Sequence, residues 1–269
     1  MRAIVIQSPW NAAAVEREIP RPKEGEALLK MICGGICGSD LASYRGMSAY
    51  VSYPRTIGHE FAAEVVEVGD NVYGIKPGMI VTGNPYFNCG TCYSCRRGMV
   101  NCCVRNETMG VQREGAFSDY LTMPVGRLYD GQGIDPKELA LIEPFCISCH
   151  GVSRASVKPG DKVLVFGAGA IGILAGVAAK SFGARVYITD IDGEKVEAIS
   201  SINSYAKNLA DAKYTSVKFE NSEKRMKDAG ISPGIWYGYS KMKSVLNREK
   251  DPETNWKVTE RVLADEGLS

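Results

Sequence analysis

Lys162-Val-Leu-Val-Phe166, followed by Gly167-Ala-Gly169-Ala170-Ile171-Gly172 and, one helix and one strand later, by Asp190, is the stretch whose reading decides the fold. Four consecutive apolar residues, 163–166, are the mark of a short buried strand. The small-residue run Ile171–Phe182 then reads as a helix, and Arg185–Thr189 as a second strand. Strand, glycine turn, helix, strand is a βαβ unit, and its sheet is parallel. Within it, Gly167 suits the tight turn, Gly169 lets a pyrophosphate approach the backbone, and Gly172 lets the helix pack on its strand. Ala170 and Ile171 open the helix, whose N-terminus offers amide N–H groups and a positive dipole to phosphates. Asp190, at the end of the second strand, is placed to accept from the ribose hydroxyls of NAD and to repel the 2′-phosphate of NADP. Arg185 precedes that strand and does not reverse the preference. The competing reading, a glycine turn kept for packing alone, does not account for the acidic residue.

Working upstream, Cys89-x2-Cys92-x2-Cys95-x7-Cys103 puts four thiols on one tight loop. Four thiolates close a tetrahedral shell around zinc and leave no position for substrate, so such a site is structural. The loop from Asn88 to Cys103 has few hydrophobic residues, and a metal there substitutes for a core. Cys102, beside Cys103, is an alternative fourth ligand. A redox reading of Cys92-x2-Cys95 is weaker, because that motif belongs at the start of a thioredoxin-like helix.

A second set is scattered: Cys37 with Ser39 and Asp40 in Gly35-Ile-Cys-Gly-Ser-Asp40, then Gly58-His-Glu60, then Glu143-Pro144. A catalytic zinc needs about three protein ligands and one open position. Cys37, His59 and a carboxylate would suffice, and Asp40 is the kind of acid that fixes a ligating histidine's tautomer. Spacing alone leaves open whether these are ligands or ordinary hydrogen-bonded residues. Cys146-Ile-Ser-Cys149-His150 matches a haem-attachment pattern, but no export signal accompanies it. These cysteines read better as small apolar residues on a helix.

Composition agrees with a globular protein: 269 residues, 45% hydrophobic and 23% charged. Lysine plus arginine (32) balances aspartate plus glutamate (31), which argues against nucleic acid or an anionic membrane as partner. The early apolar stretch Ala3–Ile6 is too short for a signal-peptide core or a membrane span, so a cytoplasmic location is expected. All nine cysteines and 25 of the 29 glycines lie in residues 1–200, whereas 22 of the last 69 residues are charged. Before residue 135 the chain is punctuated by glycine and by short β-type runs, Ala3–Ile6, Glu26–Ile32, Phe61–Val68, Met79–Thr82 and Phe117–Met123. They predict a partly open β-barrel. Beyond residue 200 the chain predicts short polar helices.

Residues 1–200 resemble the zinc-dependent medium-chain alcohol/polyol dehydrogenases, through Gly34-Gly-Ile-Cys-Gly-Ser-Asp40, Gly58-His-Glu-Phe61, the four-cysteine set, Glu143-Pro-Phe145 and Gly167–Gly172. The resemblance implies an α/β fold with a β-barrel domain. A GroES-like catalytic domain over 1–150 would be followed by the first βαβ of a partial Rossmann NAD-binding domain over 151–200 and an unassigned tail over 201–269. It implies two zinc ions per chain. Cys89, Cys92, Cys95 and Cys103 would hold the structural zinc, and Cys37 and His59 the catalytic one, with Glu60 or Glu143 as carboxylate ligand and the two able to exchange. Ser39 would relay the substrate proton, beside Asp40. Glu143 in place of a second cysteine resembles the sorbitol/threonine branch, and Glu143-Pro-Phe-Cys-Ile-Ser148 resembles sugar-acid and polyol oxidoreductases. The implied partners are a small alcohol, polyol or sugar acid, and a second copy of the chain is allowed.

The chain departs from the family at Ala42, where members often carry a histidine, and after Ser200, where no second Rossmann half is legible. Two functions therefore stand at the level of sequence. One is a zinc- and NAD-dependent dehydrogenase. The other is a truncated, catalytically defective zinc-containing binding or scaffold remnant of one.

Overall fold

A computed structural model describes residues 1–196, 219–220 and 257–258 of the chain. The chain divides into two compact units, Met1–Cys146 and Ile147–Ser269.

The first unit is built on antiparallel strands. β1 (Arg2–Ser8) pairs with β2 (Asn11–Glu16) on one side and, beyond β3 (Glu26–Gly35) and α1 (Gly38–Tyr44), with β4 (Arg55–Thr56) on the other. A five-stranded sheet follows, made of β3, β5 (Glu60–Val68), β6 (Ile80–Gly83), β9 (Tyr120–Pro124) and β10 (Leu128–Asp130), in the order β10-β6-β5-β3-β9. Between β6 and β9 lie β7 (Tyr86–Phe87), α2 (Tyr93–Arg96) and β8 (Glu107–Thr108), with β7 and β8 paired around the cysteine loop. Leu29, Phe61, Val65, Val81 and Met123 are sealed from water in one core. Burying a side chain of that size is worth about 1.5–3 kcal/mol against leaving it exposed.

The expected strands form, with one shift. The strand predicted from Phe117 starts at Tyr120. The backbone of Phe117 is used elsewhere: its N–H donates to the Ile57 carbonyl at 3.0 Å, and its carbonyl accepts from Ile4 N–H at 2.8 Å. β2 had no signal in the sequence, because Asn11-Ala-Ala-Ala-Val-Glu16 is exposed along nearly its whole length and carries no alternation.

β3 and β5 position the site. Their register slips at Leu28/Leu29 and again at Met31/Cys33, and past the second slip Gly34 and Gly35 oppose Phe61 and Glu60. Gly35 is required by close approach, since a Cβ there would lie 2.1 Å from Glu60 Oε2. The unit closes with α3 (Pro136–Ala140), capped by Asp135, and the start of α4 (Ile142–Arg154).

In the second unit, β11 (Lys162–Phe166) and β12 (Arg185–Thr189) pair in parallel from Lys162↔Arg185 to Phe166↔Thr189. α5 (Ala170–Ser181) makes the crossover that a parallel pair needs. Gly172 has no room for a side chain: its Cβ would sit 1.8 Å from the Gly167 carbonyl oxygen. β13 (Phe219–Glu220) and β14 (Lys257–Val258) form a two-stranded antiparallel pair. The polar helices expected elsewhere in 201–269 lie outside the described residues. No described helix is long and apolar enough to cross a membrane.

Candidate active site

Cys37 is the N-cap of α1, with extended backbone, and Asp40 on the first turn returns its carboxylate to the Cys37 N–H at 2.9 Å. The other oxygen of Asp40 accepts from the Gly58 N–H at 3.1 Å. One buried acid thus ties the segment carrying Cys37 to the segment carrying His59 and Glu60. Asp40 Oδ1 is 3.8 Å from His59 Nδ1, too far for a hydrogen bond. Its contribution to the imidazole is therefore charge and backbone geometry rather than a direct bond.

Cys37, His59 and Glu60 come together, their donor atoms all within 4.8 Å of one another. His59 and Glu60 are buried and Cys37 is half-buried. Glu143, on the first turn of α4, is also buried, but its carboxylate lies outside that group of three, and Tyr86 Oη donates to its Oε1 at 2.7 Å. Ser39 is exposed at the start of α1, and its hydroxyl and backbone N–H help to lower the Cys37 thiol.

The titration behaviour follows from this crowding. Contact with His59 lowers the Cys37 thiol below its usual value, against burial. Burial alone would push His59 down, but Cys37, Asp40 and Glu143 outweigh it and hold the imidazole up at about 9. Burial pushes Glu60 above the usual carboxylate range. Burial and then Glu143 push the Tyr86 phenol well up. A thiol and three carboxyl groups crowd around one imidazole, a set of acidic donors that a divalent cation would draw together. His59 Nδ1 is buried with no hydrogen-bond partner. One sulfur, one nitrogen and one oxygen donor at this separation fit zinc, with a coordination position to spare.

The four-cysteine loop forms a second group. The sulfurs of Cys89, Cys92, Cys95 and Cys103 lie within 4.8 Å of one another, while Cys102 is exposed and outside the group. Backbone N–H groups point at these sulfurs, from Cys92 to Cys89 at 3.4 Å and from Cys89 to Cys103 at 3.2 Å. Such donation, from Thr91 first and then Cys92, lowers the Cys89 thiol to about 5. Phe87, which leads into the loop, has two guanidinium groups over its ring, Arg113 at 4.2 Å and Arg127 at 4.6 Å from the ring centre. Cys146 and Cys149 lie on α4, away from both groups in the chain.

In the second unit, Gly167 takes positive φ (+103°), and an added Cβ at Gly169 would meet nothing within 4 Å, so the approach to the α5 N-terminus is open. Asp190 accepts from the N–H of Ala168 at 2.7 Å and of Asp192 at 2.9 Å. Lys195 Nζ is 4.0 Å from Asp190 and 3.4 Å from Asp192.

Residues 23–132 match the alcohol dehydrogenase GroES-like domain family, and residues 147–231 match the C-terminal domain of alanine dehydrogenase/PNT. The chain is thus similar to the zinc-type alcohol dehydrogenases over its first two hundred or so residues. Among similar proteins, L-galactonate-5-dehydrogenase of Escherichia coli K12 is 42% identical over 201 residues, covering 75% of this chain and 59% of that protein. Galactitol-1-phosphate dehydrogenase from Escherichia coli matches with a TM-score of 0.69 at 31% identity, over 75% of this chain and 59% of that one. A short chain alcohol dehydrogenase from Escherichia coli CFT073, complexed with NADH, matches with the same TM-score and identity over 90% and 66%. The chain thus spans between 59% and 66% of the length of these relatives.

Within this zinc-type alcohol dehydrogenase frame, the residue that sequence reading passed over is Tyr86. It stands three positions before Cys89 with no motif of its own, and only its contact with Glu143 distinguishes it. Lys195 was passed over likewise, being one of many surface lysines until the turn after β12 brings it beside Asp190.

Proposed function

We propose that this chain is a zinc- and NAD-dependent oxidoreductase that oxidises a secondary alcohol of a polyol or sugar acid by hydride transfer. The observation that carries the reading is the convergence of Cys37, His59 and Glu60 from two separate segments into one largely buried site. Cys37, His59 and a carboxylate would hold one zinc, and Cys89, Cys92, Cys95 and Cys103 a second, structural one. When bound, the catalytic zinc supplies Lewis acidity toward an alcohol oxygen, and the nicotinamide supplies the hydride acceptor.

The chain's own residues do the rest. Ser39 Oγ, exposed beside Cys37, takes the proton of the substrate hydroxyl as it releases its own to water. Asp40 keeps the Cys37 and His59 segments in register through its two backbone hydrogen bonds. The glycines 167, 169 and 172, with the first turn at Ala170 and Ile171, hold the pyrophosphate. Asp190 braces the turn through Ala168 and keeps unused lone pairs for the ribose hydroxyls, the basis of a preference for NAD. The relatives named for sugar-acid and sugar-alcohol substrates support that substrate class.

The test is formation of reduced nicotinamide with a panel of polyols and sugar acids, alongside nucleotide titration. Turnover is expected in the native chain and lost in Cys37→Ser. Asp190→Ala is expected to weaken NAD and narrow its margin over NADP, since a like-charge clash of that kind costs roughly a hundredfold in affinity. Equal affinity for NAD and NADP would remove the assignment of Asp190. Zinc binding without turnover on any substrate would favour the defective-remnant reading instead.

A further inference from the structure

Two carboxylates compete for one metal position at this site, and the structure separates them. Glu60 lies with Cys37 and His59, admitted by the absence of a side chain at Gly35. Glu143 is equally buried, yet its Oε1 is engaged by the phenol of Tyr86 at 2.7 Å. Tyr86 is not free to follow Glu143 inward. Its N–H donates to Asn84 at 3.0 Å, its carbonyl accepts from Arg127, and it pairs with Thr108 across the β7–β8 ladder. The next residue, Phe87, has the guanidinium groups of Arg113 and Arg127 over its ring. The backbone of Tyr86 is therefore anchored while its phenol donates to a buried carboxylate.

We propose that Tyr86 is a positioning residue that holds Glu143 out of the metal site and so makes Glu60 the carboxylate ligand alongside Cys37 and His59. This rests on the assignment of that cluster as a metal site and deepens it. A hydrogen bond to an ionised acceptor shifts a two-state balance by about tenfold or more. Removing the phenolic hydroxyl frees the Glu143 carboxylate to compete. Tyr86 then selects between two ligand sets without being a ligand in either.

The full-length chain, loaded with cobalt(II) as a spectroscopic probe, tests this through its visible d–d bands. Any cobalt at the four-cysteine site contributes equally in every variant and cancels in difference spectra. In the native chain, Glu60→Gln should shift the bands and Glu143→Gln should leave them in place. In Tyr86→Phe the bands should shift, and Glu143→Gln added to Tyr86→Phe should return them toward the native positions. A band pattern that responds to Glu143→Gln in the native chain, or is indifferent to Tyr86→Phe, overturns the proposal. Failure of the native chain to bind any metal through Cys37 overturns the site itself and Tyr86's role with it. Unchanged zinc at the four-cysteine site and an unchanged melting temperature in Tyr86→Phe show that the shift is local and not a folding defect.

Discussion

Glu114 shows how a single side chain far from the chemistry joins parts of the first unit. Its carboxylate accepts from Arg17 at 2.9 Å, Arg55 at 3.1 Å and the Thr56 N–H at 3.2 Å, tying the chain after β2 to β4. Burial would raise its pKa, but the bonds from Thr56 and Arg17 outweigh this and hold the carboxyl below its usual range. A depressed folded-state pKa means stabilisation that is present above the unfolded carboxylate pKa of about 4.3 and lost as pH falls through the folded value. The side chain is 50% exposed, so water screens the network and its worth is about 1 kcal/mol or less. Glu114→Gln should lower the melting temperature at neutral pH by about 2–4 °C at most. The gap should close below about pH 4. A gap that persists in acid would mean the residue acts through packing and not through its charge.

At the scale of elements, α5 and its turn separate two uses of glycine. Gly172 is pressed on the Gly167 carbonyl, and a methyl group 1.8 Å from a backbone oxygen forces the helix off its strand. Gly172→Ala should cost about 1–3 kcal/mol of stability, as other overpacked sites do, and read out as a lowered melting temperature. Gly169 has extended backbone and open space where its Cβ would stand. Gly169→Ala should melt close to the native chain but lose NAD affinity, because the added methyl occupies the path of the pyrophosphate. Calorimetric titration with NAD, run beside thermal melts, distinguishes the pair. A Gly169→Ala chain that binds NAD like the native one would show that the turn is built for packing alone.

For the molecule as a whole, the proposal of one zinc at each of the two donor groups fixes a metal count that can be measured. Elemental analysis should return two zinc ions per chain. Cys95→Ala should lose one of them and much of the stability, because the loop from Asn88 to Cys103 supplies no residue to the buried core. Cys37→Ala should lose the other while the fold survives, because the sheets close around Leu29, Phe61 and Val81 without it. A Cys37→Ala chain that still carries two zinc ions would remove Cys37 from the ligand set.

The features legible in the sequence are the local ones. The four cysteines lie within fifteen residues, and their sulfurs meet as that spacing leads one to expect. The βαβ unit is likewise written in consecutive residues, and its strands Lys162–Phe166 and Arg185–Thr189 stand where the apolar runs placed them. Between Cys102 and Cys103 the sequence was silent, and the turn geometry of the loop turns the second sulfur inward. The choice between Glu60 and Glu143 was beyond it for a stronger reason. Eighty-three positions separate them, and which one stands beside Cys37 depends on a register slip in β3, on the missing side chain of Gly35 and on the phenol of Tyr86. The slip and the phenol have no periodicity or motif, and the motif that contains Gly35 does not say which carboxylate its missing side chain admits. They are long-range contacts, and contacts between residues far apart in the chain exist only once the sheet has brought them together.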